Sequence, residues 1–254
     1  MGAVLTRLVR AEWTKLLTTR VWIGLLLGAC VLVGGFAALF TGLAGQTGGP
    51  PALTDPAYAQ AVFSLAGNAR ILSLVLGIIG TTQEYRHRTA TPTFLASPHR
   101  GRVVAAKLVA YLAAGVPFAL VACAVDVVVV LVYAGARGAA PSLSGDDLQV
   151  LAGAAVAVLL YTVIGVGVGA LFRNQVGAIV GSLVYLFVIE NIIGGISAIS
   201  AVYKWLPGGA SAALTATTQG PDLLDQWQGG VLLVAYALVF SILGTVLAVR
   251  RDVV

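Results

Sequence analysis

Six long apolar runs separated by polar stretches dominate this chain, at about 21–43, 62–82, 106–133, 150–171, 176–196 and 229–249. Each reaches the roughly 20 residues that an α-helix needs to cross a hydrocarbon core about 30 Å thick. In lipid every backbone N–H and C=O must be satisfied within the protein, which leaves helices or a closed β-barrel. Barrel strands alternate polar and apolar positions over about 10 residues. The runs here are continuous, so the expected fold is an all-α integral membrane protein with six transmembrane helices.

The first 20 residues follow another pattern. Val4, Leu5, Leu8, Val9, Trp13, Leu16 and Leu17 recur at helical spacing, while Arg7, Arg10, Lys15 and Arg20 occupy the remaining faces. That arrangement predicts a helix lying in the headgroup region. The run from Val21 to Leu43 is too long for the apolar core of a signal peptide and is expected to remain as the first span. Residues 1–254 thus read as one transmembrane domain, in which 83–105 is the long polar connection on one side and 197–228 the long connection on the other. Tyr203, Trp205 and Pro207 in 197–228 suit short helices at the membrane interface.

Composition sharpens this picture. The chain is 59% hydrophobic and 10% charged, with a mean hydropathy of +0.96. Soluble domains carry about 25% charged residues, and six spans are expected to use most of the 254 residues, leaving no room for a large soluble domain. A formal net charge of +5 raises the question of nucleic acid, but the cations flank the apolar runs as topology signals do. With the N-terminus inside, twelve basic residues (Arg7, Arg10, Lys15, Arg20, Arg86, Arg88, Arg100, Arg102, Lys107, Arg173, Arg250 and Arg251) are cytoplasmic, and three (Arg70, Arg137 and Lys204) are not. Both termini are therefore expected in the cytoplasm of a multi-pass inner (plasma) membrane protein, with lipid as a partner and no nucleic acid. The excess of Arg over Lys, with abundant Ala, Gly and Val, suits a GC-rich, actinobacterial-like genome. The opening Met-Gly-Ala-Val-Leu-Thr matches the short myristoylation pattern, which would be meaningless in a bacterium.

Cys30 and Cys123 lie inside apolar runs and read as small packed hydrophobes, with no metal site implied. Gly24 and Gly28, Gly165 and Gly169, and Gly177 and Gly181 have the spacing that lets helix backbones approach, chiefly within the subunit.

One extended polar segment, 83–102, stands on the inner side. Its run Glu84-Tyr85-Arg86-His87, followed by Thr89, Pro98, Arg100 and Lys107, resembles the first cytoplasmic loop of ABC-2 type transporter permeases. Arg10, Glu12, Trp13 and Lys15, within Arg-Ala-Glu-Trp-Thr-Lys, resemble that family's elbow helix, and the six-span body is similar too. The chain departs from the pattern at Arg88, where many members have glycine. The resemblance implies that Glu84, Tyr85, Arg86, His87, Arg88, Thr89, Pro98 and Arg100 couple the permease to a separate ABC ATPase subunit. It also implies a second copy of the chain, or a related permease, to complete the pathway. No G-x-x-x-x-G-K-[ST] motif occurs, so ATP and Mg are assigned to the ATPase and no cofactor to this chain.

Three ionisable residues, Arg70, Asp126 and Glu190, fall inside the apolar runs at comparable depth. Each costs about 2.5–3.5 kcal/mol at mid-helix unless partnered or wet. The favoured reading is an ion pair between Arg70 and one of the carboxylates; the alternative is that Asp126 or Glu190 lines the substrate route.

The leading function is thus the membrane subunit of an exporter of amphipathic or lipid-like compounds. An enzyme lacks support, because the two histidines, His87 and His99, both sit in the polar loop and neither H-E-x-x-H nor G-x-S-x-G occurs. An ATP-independent carrier would favour inverted repeats with broken helices, for which no convincing pair exists. A permease-like immunity or sensing subunit remains as the other reading.

Overall fold

A computed structural model describes residues 2–87, 100–197, 199–215 and 223–250. Its elements are α1 (Gly2–Thr18), α2 (Val21–Leu43), α3 (Pro56–Phe63), a 3-10 turn (Ser64–Ala69), α4 (Arg70–Arg86), α5 (Arg100–Ala136), α6 (Gly145–Phe172), α7 (Gln175–Val184), a π-helical turn (Tyr185–Ile189), α8 (Glu190–Gly195), α9 (Ser200–Tyr203), α10 (Pro207–Leu214) and α11 (Gln226–Arg250). Six helical stretches are long and apolar enough to span a membrane: Val21–Leu43, Pro56–Arg86, Gly101–Ala136, Gly145–Phe172, Gln175–Gly195 and Gln226–Val246. They alternate in direction, so one end of the bundle carries α1 and the other the connections at 44–55, 137–144 and 196–225.

Local sequence explains the boundaries. Asp55 caps α3 by accepting from the Ala57 amide at 2.8 Å, with Pro56 preset for the first turn. Ser144 and Asp147 form a reciprocal capping box that starts α6. Asn174 accepts from the Gly177 amide at 2.9 Å and opens α7. Two non-glycine residues hold positive φ, Arg20 at 54° and Arg173 at 52°. Both lie between consecutive helices at the α1 end, where the left-handed residue ends one helix and redirects the chain.

The centre of the bundle is α6, packed against α4, α5, α10 and α11. The α4–α6 contact is backbone on backbone: a Cβ at Gly77 would meet the Thr162 carbonyl, and one at Gly165 the Leu74 carbonyl. Ser73 and Thr81 bond across it, donating to the Val158 and Val166 carbonyls at 2.9 and 3.2 Å. Of the three GxxxG spacings, Gly165 and Gly169 serve this contact, whereas Gly24 and Gly181 face open space. Cys30 and Cys123 are free and half-buried.

Two elements differ from the sequence expectation. The helix that contains the third apolar run starts earlier than that run, because α5 is unbroken from Arg100. Within 197–228, α10 is not a surface helix: Pro207, Gly208, Gly209, Ala210, Ser211, Ala213 and Leu214 are all buried, against α6 and α11. Its residues are so small that the helix fits between larger ones.

Candidate functional site

At the α1 end, four charges from three segments close on one another. Glu12 and Lys15 are three residues apart on α1, Glu84 is in the last turn of α4, and Lys107 is in the second turn of α5. Lys15 Nζ donates to Glu12 Oε1 and to Glu84 Oε1, both at 2.7 Å. Lys107 Nζ bonds Glu12 Oε2, and it reaches Glu84 Oε1 at 3.2 Å and the Gly80 carbonyl at 3.0 Å. Two carboxylates and two ammoniums make a neutral ring. The side chains of Glu12 and Lys107 are each 5% exposed, Glu84 8% and Lys15 38%.

The surroundings explain how charges are tolerated there. Leu16 and the half-buried Val9 and Trp13 seat α1 on Leu108, Tyr111 and the rest of an apolar cluster, so the polar edge of α1 turns towards α4 and α5. Gly80 leaves room for the Tyr111 ring, over which the Lys107 ammonium lies at 5.8 Å. Burial pushes the Glu12 carboxyl up, but Lys107 and Lys15 outweigh it and hold the group below its ordinary value. Burial pulls Lys15 down, and the Glu84 and Glu12 carboxylates more than reverse that. Both groups are held ionised at neutral pH.

The loop residues expected to meet a partner divide. Glu84 turns inward into the ring, where its carboxylate meets the Lys15 and Lys107 ammoniums. Tyr85 is half-buried beneath the Arg173 guanidinium, 5.2 Å from the ring centroid. Arg86, within 3.5 Å of Gln175 Oε1, and His87 are exposed. Arg88, Thr89 and Pro98 lie outside the described residues, as does the side chain of Arg100, whose backbone begins α5. On α1, Arg10 is exposed while Glu12, Trp13 and Lys15 face the bundle.

The three charges within the spans do not form the expected ion pair. Among the described residues Arg70 has no carboxylate within salt-bridge distance; it donates to the Gly67 carbonyl at 3.2 Å and lies over the Tyr161 ring at 5.8 Å. Glu190 Oε1 accepts instead from the Gly208 amide at 3.0 Å. Asp126 is fully buried; it approaches the Ala66 backbone, yet neither oxygen makes a well-formed hydrogen bond. Equal depth along helices does not by itself make a salt bridge: Arg70 bonds a carbonyl of its own segment and Glu190 the Gly208 amide.

Among the described residues no group of three or more His, Cys, Asp or Glu side chains could hold a metal. The α1-end ring instead ties the two flanks of 88–99 to α1, which is a mechanical arrangement. A family model described as ABC-2 family transporter protein matches residues 8–189. The chain belongs to the ABC-2 transporter family. It is accordingly a multi-pass membrane subunit of an ABC transporter, of a family whose membership implies association with an ABC ATPase. The match takes in the whole charged ring and ends at the π-turn, leaving α8, α9, α10 and α11 outside it. No curated protein matches the chain. Sequence reading missed the ring as a unit, although its signal was present in this ABC-2 member: opposite charges on an otherwise apolar α1 face, with one acid and one lysine at the matching ends of two spans.

Proposed function

We propose that this chain is the membrane-spanning half of an ATP-driven exporter of amphipathic or lipid-like compounds, and that its α1 end faces the cytoplasm. A separate ATPase holds ATP and Mg; this chain supplies the route, completed by a second copy or a related permease in the inner membrane. The ring of Glu12, Lys15, Glu84 and Lys107 carries the reading. It joins the helix ends on both sides of 88–99 to α1, so force applied to that loop moves three segments together. Exposed Arg86 and His87 offer the ATPase a contact, while Glu84 transmits from within. Orientation is supported by the twelve basic residues that the chain order assigns to this end.

The test is co-purification. The tagged chain is expected to retain an ABC ATPase from its own membranes, and replacing Arg86, His87 and Arg88 by Ala to release it without loss of folded permease. Capture unchanged by that replacement would overturn the coupling role. A sensing or immunity subunit would bind the compound without ATP-dependent transport in vesicles that contain both subunits.

A further inference from the structure

Two adjoining cavities flank the π-turn. The larger, about 410 Å³, is almost wholly apolar and lies between α4, α6, α11 and the fifth span, with Leu74, Ile164, Val168, Leu186 and Phe240 in its wall. Its size suits a small organic molecule. The smaller, about 130 Å³, is polar: Asn68, Arg70, Glu190, Asn191 and Tyr203 line it. Leu186 belongs to both walls. Tyrosines also mark the boundary between them: Tyr161 lines the apolar cavity with its ring beside Arg70, and Tyr185 lines it at the start of the π-turn that leads to Glu190.

The charges here are incompletely used. Arg70 Nε is buried without a partner, and no carboxylate pairs with the guanidinium among the described residues. Glu190 is clasped by the Gly208 amide at 3.0 Å, and only a glycine fits there, since a Cβ at 208 would meet the carboxylate. The carboxylate is thereby fixed within the same small cavity as the unpaired guanidinium. A π-turn widens the helix and spoils its regular packing, as such turns often do at functional sites. Correspondingly the fifth span is only 11% buried over its apolar window, against 61% for α6.

We infer that the two cavities form one binding site for a single-chain amphiphile with a zwitterionic head, its acceptor group on Arg70, its ammonium towards Glu190 and its apolar body in the larger cavity. This rests on the exporter reading and names the substrate class for it. A purely apolar compound would leave the guanidinium unpartnered, and a purely anionic one would face the Glu190 carboxylate.

The full chain in lipid nanodiscs, with its ATPase where captured, is photolabelled with lysophosphatidylethanolamine bearing a diazirine in its acyl chain. The matching diazirine fatty alcohol is the headless control. The zwitterionic probe is expected to label the cavity walls at 161–189 and 236–240 in preference to the alcohol. Gly181→Leu extends into the cavity from a position where a Cβ meets nothing within 4 Å, so it should remove this labelling from a normally folded protein. Arg70→Gln should cut labelling by the zwitterionic probe about tenfold, as the loss of one charge-assisted contact would, and leave the alcohol unchanged. Equal labelling by both probes, unaffected by Gly181→Leu, would mean ordinary boundary lipid and overturn the site. Chain-to-chain crosslinks through Gly181 would overturn it in favour of a second copy as occupant. Head-dependent labelling without any captured ATPase would keep the site and remove the exporter reading.

Discussion

The charges at the α1 end and those near the middle of the bundle were met by opposite solutions. At the α1 end Glu12, Lys15, Glu84 and Lys107 satisfy one another within a neutral ring. In mid-bundle Arg70, Asp126 and Glu190 stay separate, Asp126 with both oxygens unpartnered. A closed ring resists the movement of any one member, because removing a partner strands a buried charge. Open charges resist nothing, but they present unused bonding capacity to whatever enters. The same residue types thus close on one another at one end and keep bonding capacity unused further in.

The sharpest way to break this contrast is Lys107→Met, which takes one ammonium partner from each of two buried carboxylates. Loss of about 3–5 kcal/mol is expected, seen as poor recovery and an early thermal transition in detergent, and Lys15→Met should cost less because Lys15 is 38% exposed. Combining Lys107→Met with Glu12→Leu should recover part of the loss. A stable Lys107→Met protein would mean that the ring is not the joint described.

Gly165→Val tests the packing between the two regions. With the Leu74 carbonyl against the α-carbon, α4 and α6 must separate, at a cost of about 1–3 kcal/mol or more, measured by the same thermal assay. Both regions should suffer, since α4 carries Arg70 at one end and Glu84 at the other. At the far end Ser144→Ala removes half of a capping box and should cost about 1 kcal/mol, with ATPase capture intact.

A smaller effect is expected from pH. The folded Glu12 carboxyl lies below its ordinary 4.5, so its contribution is complete above that value and fades as pH falls through the folded one. Lys15 is held above its ordinary 10.5, so its contribution is complete below that value and fades as pH rises further. The contribution of these two groups to stability should therefore be flat across neutral pH and fall on both sides, with Glu12→Gln weakening the acid-side slope.

The six spans were legible because lipid imposes a length and an apolar composition that short polar connections cannot mimic. The members of the ring were also visible singly, but not their closure. Glu12 and Lys107 are 95 residues apart, and only the seating of α1 through Leu16 and Trp13 brings them together. The expected Arg70 ion pair is not formed among the described residues for a related reason: sequence gives depth along a helix but not the Gly208 amide, 18 residues on, that takes Glu190. Nothing in Tyr185–Ile189 marks a π-turn, because its five residues would suit an ordinary apolar helix equally well. The burial of α10 was hidden by a composition of Gly, Ala and Ser that reads as a loop.

The most direct test of the joint is a set of three spin-label distances in the complex with its ATPase, before and after ATP. One label replaces exposed Arg10 on α1, a second replaces Gly101 at the start of α5, where a Cβ meets nothing within 4 Å, and a third replaces Trp227 at the far end. The ring predicts that the 10–101 distance is unchanged by ATP while both labels move relative to 227, and that Lys107→Met frees the 10–101 distance. A 10–101 distance that changes with ATP in the unaltered chain as much as in Lys107→Met would contradict it.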